Sequence, residues 1–510
     1  MDFALHSTNR PASVPAARAW LRPVLMVFVC LLPVLLTFSL MTVYAGGQPV
    51  LPALSDEVLN WHQVATLLKA GLNGGYYTLF EQPAPLEAFH YYAYGPWPYL
   101  VYAPFGLAGW GMGVFPLLNT LLMGLALAAF QWMTRPGLRQ VSLLAVLVVA
   151  FAPALLYYPV AMQETLNHAL AVVVAGVFVV LYRRRGGASA AIKLGGLVLI
   201  LLMTLLRSSW AMLLLPYCLL ILPPRRWSVV LAVGVTGLVA VAFLQFIGLT
   251  AAPYNAPGVN AAFGDSVGGY LLRVIRNFVY YLDPGKPLFD FVFTIQTVVL
   301  LIVMLLALRR RGRPPGALDR AEAFFHLYVV GGMLGAVMVM YISGELRDYR
   351  VMSGHVLISL LVLLAHRRYL LLILFIVSSL VFLPATLQFY GAIIGMKTSV
   401  STATMTSFET TIAPFVVYDP GQPDAWCNTL MTTSTRLGSQ LLTLPPGVGI
   451  SFFFKADDPL AMRSRYWLVD TATAADLMRL HPGYTLRPVA ETSLGTLYLN
   501  EGNACSSPGL

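Results

Sequence analysis

Asp56 and Glu57 stand side by side in "LPALSDEVLNWHQ", shortly beyond an apolar run at 23–45. Two kinds of work suit such a pair. In the first turn of a helix, acids satisfy free backbone N–H groups and complement the helix dipole, for about 0.5–2 kcal/mol. Alternatively, one carboxylate takes a proton from a substrate hydroxyl as general base while its neighbour is capped or solvated. Far along the chain, "GELRDYR" sets Arg347 and Arg350 three residues apart, on one helical face, with Tyr349 between them and Glu345 and Asp348 as counter-charges. That cluster suits an interfacial ion-pair anchor, or a clamp for a phosphate, which the planar guanidinium fork grips through two hydrogen bonds.

Other polar residues stand out against apolar surroundings. Arg207 in "LLRSSWAMLLLP" lies between two apolar segments, where a buried or cavity-facing role outweighs snorkelling. Glu164 and His168 in "MQETLNHAL" are four apart, the spacing of a local hydrogen-bonded pair more than of a metal site. Arg273, Arg276 and Lys286 suit attraction to lipid headgroups, with a phosphate contact open to one of them. His62 and His90 flank the same loop without a third ligand and read as structural. No metal-ligand set is legible, no cofactor is implied with certainty, and a divalent cation stays open.

The elements that must position these residues follow from composition. The chain of 510 residues is 58% hydrophobic and 11% charged, with a mean hydropathy of +0.73. A soluble domain has about 25% charged residues. This is a polytopic membrane protein of all-α type. Apolar windows of roughly 20 residues, enough to cross a bilayer core of about 30 Å, recur through the first 389 residues. They predict about eleven spans, near 23–45, 114–134, 140–160, 168–182, 192–206, 210–224, 228–250, 288–308, 323–343, 350–365 and 369–389.

Positive charge then orients the chain. With the N-terminus in the cytoplasm, the inner loops hold Arg10, Arg18, Arg22, Arg135, Arg139, Arg183 to Arg185, Lys193, Arg225, Arg226, Arg309 to Arg311, Arg313, Arg320, Arg367 and Arg368. That is more than half of the 32 basic residues, against Asp2, Asp319 and Glu322 among the acids. The net charge of +10 is therefore a topology signal and not a nucleic-acid footprint. Asp56, Glu57 and everything beyond residue 390 fall outside. The segment 23–45 is too long for a cleaved signal core and reads as a retained anchor. Cys30 and Cys218 lie in spans as packing residues. Cys427 and Cys505 bracket the tail, where an oxidising exterior would let them pair.

Two exterior regions remain. In the first loop, 46–113, apolar Val58, Trp61, Ala65 and Leu68 recur at helical spacing behind Ser55 or Asp56 as N-cap, predicting an amphipathic helix on the membrane surface. A second short helix is expected in the aromatic run "HYYAYGPWPYLVYAPFGLAGWG" at 90–111. From 390 to 510 strand-like runs such as "ISFFFK" and "RYWLVD" surround a helical "ATAADLMRL", predicting a small exterior α/β domain after a membrane domain of residues 1–389. No Walker loop or dinucleotide fingerprint is present, so a group transferred outside must arrive already activated, for instance on a lipid.

This order of parts resembles the GT-C glycosyltransferases, which take sugars from polyprenyl-phosphate carriers. The likeness rests on the acids opening the first loop, "YGPWPYLVYAPFG", "LLRSSWAMLLLP", "GELRDYRVMSGHVLIS" and the exterior tail. It implies Asp56 as catalytic base with Glu57 its partner, and Arg347, Tyr349 and Arg350 at the carrier phosphate. Arg207, Glu164, Glu345 and Lys286 complete the candidate substrate and phosphate contacts. The implied reaction is inverting transfer from a polyprenyl-phosphate-linked sugar to a lipid, glycan or protein hydroxyl, at the exterior face of a bacterial cytoplasmic membrane. The late "RDYRVMSGH" lacks the prolines that often follow in the family. An O-antigen-type polymerase or ligase would carry its main loop late in the chain. A lipid-linked glycan transporter or flippase would spread charges at mid-membrane over repeated halves.

Overall fold

The computed structural model of the chain describes residues 20–184, 187–223, 225–252, 267–281, 288–309, 320–340, 349–503 and 505. Helix α1 (Leu21–Ala45) leads into the first loop, which holds α2 (Ser55–Ala70), the short strand β1 (Thr78–Leu79) and α3 (Trp97–Gly106). A helical bundle follows: α4 (Val114–Thr134), α5 (Leu138–Ala150), α6 (Ala152–Tyr157), α7 (Glu164–Arg184), α8 (Ala190–Leu206), α9 (Leu214–Ile221) and α10 (Arg226–Thr250). It continues with α11 (Val267–Tyr281), α12 (Leu288–Arg309), α13 (Arg320–His326), α14 (Gly332–Met340), α15 (Tyr349–Ala365), α16 (Tyr369–Val381) and α17 (Leu383–Lys397). The last part comprises α18 (Thr402–Ile412), β2 (Thr429–Thr433), β3 (Gly449–Phe453), β4 (Tyr466–Val469), α19 (Thr471–Leu480), β5 (Leu486–Thr492) and β6 (Gly495–Asn500).

The protein is a multi-pass membrane protein, mostly helical, with a small C-terminal sheet. Among the described residues, α1, α4, α7, α10 and most of α12 are long and apolar enough to cross a bilayer. The pair α16 and α17, bent by 56°, makes a sixth if counted as one span. Pro384, at the start of α17, accounts for the bend, because proline lacks the N–H that would continue the preceding helix. The other expected spans are helical but short or broken. The segment 140–160 stops at Phe151 between α5 and α6, 210–224 opens as a 3-10 turn, and 323–343 is interrupted by a π turn at Leu327–Gly331. Apolar side chains such as Leu238 and Val241 point outward from α10, as lipid contact allows.

Helix α2 does not lie on a membrane surface. Its apolar side is buried, and so are Glu57, His62, Gln63 and Thr66 on its polar side. The helix is an internal layer, covered by the C-terminal sheet. The expected N-cap differs too. Leu54 holds that position, and its backbone N–H donates to the Glu57 carboxylate, so neither Ser55 nor Asp56 caps.

The sheet has six strands in the order β1-β3-β2-β4-β6-β5, parallel from β1 to β4 and antiparallel beyond. Strands β2, β3 and β4 are buried along their whole length, which fits the nearly continuous apolar runs of parallel core strands. The edge strand β1 comes from the first loop and pairs Thr78 with Ser451 and Leu79 with Phe452. To reach that register the loop backbone crosses β2 and β3 at Gly75, where a Cβ would stand 1.9 Å from the Asn428 carbonyl oxygen. Only glycine fits there. One core thus joins Val58, Tyr77 and Tyr99 of the loop to Leu430, Ile450 and Leu468 of the sheet. A disulfide between Cys427 and Cys505 ties the end of the described chain to the start of β2.

A buried polar chain holds the loop to the sheet layer. His62 Nε2 donates to the Leu444 carbonyl at 3.0 Å, leaving Nδ1 to accept from the Tyr77 hydroxyl at 2.6 Å. Thr66 Oγ1 lies 2.6 Å from the Tyr77 oxygen and accepts from the Gly447 N–H at 3.1 Å. Burial pushes the His62 imidazole down to about 4, so it folds neutral. An unfolded chain protonates it near its ordinary 6.5. Stability from this contact is therefore full above pH 6.5 and is lost as pH falls from 6.5 toward about 4. Thermal unfolding against pH should show this as a slope that shrinks in His62→Gln, whose amide keeps both contacts without titrating. Equal slopes in the two proteins would refute it.

Candidate functional site

A cavity of about 350 Å³ opens where α2, the starts of α7 and α15, and the sheet layer meet. Asp56 and Asn60 line it from α2, Gln163 and Glu164 from the start of α7, Arg207 from the break after α8, and Arg350 from the first turn of α15. These residues, some three hundred positions apart at the extremes, form two ion pairs. Arg350 Nη1 lies 3.4 Å from Asp56 Oδ2, and the Asp56 side chain is about half exposed. Arg207 Nη2 lies 3.1 Å from Glu164 Oε1, and both groups are buried.

The local breaks explain the placement. Arg207 leaves α8 in an extended conformation, φ −158°, so its side chain turns out of the helical run. Beyond it, Trp210 stacks on His355 at 4.5 Å and donates to Asn167 at 2.9 Å. The Ser353 hydroxyl donates to the Arg350 carbonyl at 2.8 Å and so accepts from His168 Nε2 at 2.6 Å, bracing the first turn of α15 against α7. His168 and Glu164 therefore do not pair with each other.

The two adjacent acids part company. Asp56 faces the cavity, whereas Glu57 is fully buried. Its carboxylate accepts from the backbone N–H groups of Ala53 and Leu54 at 3.1 Å each, from Ala161 at 2.7 Å, and from the Lys397 ammonium. Lys397 also accepts the Leu51 N–H on its own carbonyl, at 2.9 Å. Glu57 thus pins the start of α2 to the turn leading into α7 and to the end of α17. Asp56, one residue earlier, inherits a fixed position.

The rest of the wall is aromatic. Tyr99 donates to Asn60 Oδ1 at 2.9 Å and accepts from Gln63 at 2.9 Å, and burial pushes its phenol up so that it stays a neutral donor. Gln63 also accepts the Tyr92 N–H at 2.9 Å. Tyr94 packs beneath Arg207, whose guanidinium carbon lies 6.0 Å from the ring centre. Leu437, Phe452 and Phe454 enter from the sheet layer.

Of the residues expected at a site, Asp56, Glu164, Arg207 and Arg350 converge here. Glu345, Arg347 and Lys286 lie outside the described residues, as does the side chain of Tyr349. Among the described residues no three His, Cys, Asp or Glu side chains gather as a metal site. Asp56 and Glu164 are carboxylates that a cation could approach, each now facing an arginine. Lys397 was not expected. Its only mark in the sequence is a lone cation closing the apolar stretch "GAIIGMK". Phe452, Phe454 and Leu437 carry no local signal at all.

No family model matches the chain, and no curated protein matches it. Among solved structures it is similar to an oligosaccharyltransferase of Archaeoglobus fulgidus tethered to an acceptor peptide with an NVT sequon. The two share 10% identity at a TM-score of 0.47, over 95% of this chain and 75% of that one. It is also similar to the oligosaccharyltransferase AglB of the same organism in complex with an inhibitory peptide and a dolichol-phosphate. There the identity is 11% and the TM-score 0.46, over 94% of this chain and 75% of that one.

Replacing Lys397 with methionine would leave the Glu57 carboxylate buried without its counter-charge, at an expected cost of about 3–5 kcal/mol. Adding Glu57→Gln to that protein should recover a large part of the loss. Chemical denaturation in detergent reads both, and a Lys397→Met protein as stable as its parent would discard the pinning role.

Proposed function

We propose that this chain is a GT-C-type glycosyltransferase that moves a sugar from a polyprenyl-phosphate carrier to an acceptor hydroxyl at the exterior face of the membrane. The observation that carries the reading is the meeting of Asp56 and Arg350 on one cavity, 3.4 Å apart, at the junction of the helical bundle and the sheet layer. A base and a phosphate-binding cation have to serve one bound sugar, and the place of both residues on one cavity supports those roles. The clustering of arginines in the other loops supports an exterior position for this junction.

The pair also suggests how the site switches from resting to loaded. The carrier phosphate takes over Arg350, whose fork prefers a bidentate oxyanion. Asp56 is then released toward the acceptor. Its carboxylate accepts the hydroxyl proton as the acceptor oxygen attacks the anomeric carbon, and the phosphate leaves from the opposite face with inversion. Arg350 stabilises the charge growing on the leaving phosphate. Arg207 adds a second cation from a buried position, where the attraction is stronger than in water. Arg347, Tyr349, Glu345 and Lys286 are proposed to border the same phosphate. Residues 46–113 and 390–510 enclose the acceptor side, and 1–389 hold the lipid, in a bacterial cytoplasmic membrane.

Glu57 then acts as a positioning residue, and Asp56 is the base. Asp56→Asn should lower transfer from a radiolabelled undecaprenyl-phosphate sugar by about 10²–10⁴-fold, with unfolding unchanged. Arg350→Ala should weaken use of the donor lipid. A flippase would move the lipid across proteoliposomes without cleaving the sugar phosphate bond. Near-normal transfer by Asp56→Asn would remove Asp56 from the reaction, and wild-type protein that turns over no such donor would remove the reaction itself.

A further inference from the structure

The cavity has two chemically different walls. Among the described residues, the charged groups that line it sit on the helical side: Asp56, Glu164, Arg207 and Arg350. The opposite wall, among the same residues, carries none. It consists of Tyr92 and Tyr94 from the first loop and Ser434, Leu437, Phe452 and Phe454 from the sheet layer. These rings form a connected surface, with Tyr92 edge-on to Phe452 at 5.5 Å and Phe452 edge-on to Phe454 at 6.0 Å.

The tyrosines are held there by a strained backbone. Ala93 has φ +62°, and the Tyr94 N–H closes onto the Tyr92 carbonyl at 2.7 Å, making a three-residue turn of the uncommon left-handed kind. The following Gly95, φ +69°, packs so tightly on Thr250 that a Cβ would lie 2.8 Å from its carbonyl oxygen. A non-glycine residue in that region costs about 1–3 kcal/mol and persists where its surroundings enforce it, often at ligand clamps. Here the turn sends Tyr94 toward Arg207 and Tyr92 toward Phe452, linking the two walls.

We infer that the uncharged wall is the acceptor subsite and that the acceptor group it takes is a neutral sugar ring. The inference rests on the glycosyltransferase reading and deepens it. A pyranose or furanose has an apolar C–H face and a rim of hydroxyls. Phe454 and Tyr92 offer ring surface to the face, while Ser434 and Asn60 offer polar atoms to the rim. A peptide acceptor fits less well, because the nearby backbone is already engaged: the N–H groups of Phe454 and Lys455 donate to Asp458 at 2.8 Å each, and the Phe452 carbonyl accepts from Phe80 at 3.0 Å. A lipid acceptor fits less well because the chain leaving this wall runs into the polar segment "KADD" at 455–458. The described residues of this wall offer no charge to an anionic or cationic group.

Phe454 is the place to test it, being 54% exposed and outside the core. The full-length protein in proteoliposomes is given an undecaprenyl-phosphate sugar donor and three acceptor panels: neutral oligosaccharides, peptides with Ser or Thr, and a glycolipid with its chain next to the accepting hydroxyl. Transfer to the oligosaccharides is expected. Phe454→Ala should raise KM for them about tenfold, the scale of one lost ring stack, with kcat and donor KM unchanged. Phe454→Trp should restore the wild-type KM. Transfer to peptide or glycolipid alone, or an oligosaccharide KM that ignores Phe454→Ala, would overturn the subsite while leaving donor use and the glycosyltransferase reading in place. Failure to use any donor would instead count against that reading and the subsite together.

Discussion

The carboxylate of Glu57 is the constraint on which the rest depends. An ionised group with no exposure to solvent persists only if its lone pairs are filled and its charge is balanced. Three backbone N–H groups and the Lys397 ammonium meet that demand, and they come from three distant stretches of chain. Satisfying one buried charge therefore fixes the start of α2, the approach to α7 and the end of α17 relative to each other. Asp56 and Glu164 both stand within three residues of those fixed points.

The sheet layer adds a second constraint from above. Since β1 is donated by the first loop, the loop cannot drift from the sheet without losing its pairing to β3 and the glycine crossing at Gly75. Polar side chains on α2, which would face water on a surface helix, are instead consumed in holding other parts: His62 and Thr66 hold the sheet layer, and Gln63 holds Tyr92 and Tyr99. The result is a cavity whose charged and aromatic walls are set by separate structural causes. The helix break at Arg207 and the first turn of α15 set the first. A strained turn and a strand end set the second.

Much of this organisation was legible before any coordinates. The apolar windows marked the helices because lipid selects for long apolar runs regardless of packing. The runs "ISFFFK" and "RYWLVD" marked strands of the C-terminal sheet. Span lengths were less legible: hydropathy does not see that Phe151 ends α5 just before Pro153 opens α6, or that a π turn interrupts 327–331. The surface position expected for α2 failed for a related reason. Its periodicity reports one apolar side, and says nothing of a partner that buries the polar side through hydrogen bonds.

Residue types and local order alone determined that this is a multi-pass membrane chain, that acids open its first loop, and that arginines gather late. They left Asp56 and Glu57 equivalent. Only the tertiary structure separated the two, because successive residues on a helix point about 100° apart and the surroundings of each direction come from remote segments. One direction met Lys397 and backbone N–H groups, and the other met Arg350 and a cavity. The aromatic wall was decided in the same way. Phe452 is an ordinary residue of β3 and Phe454 follows its end, and only the folded chain sets both on the cavity that Asp56 lines.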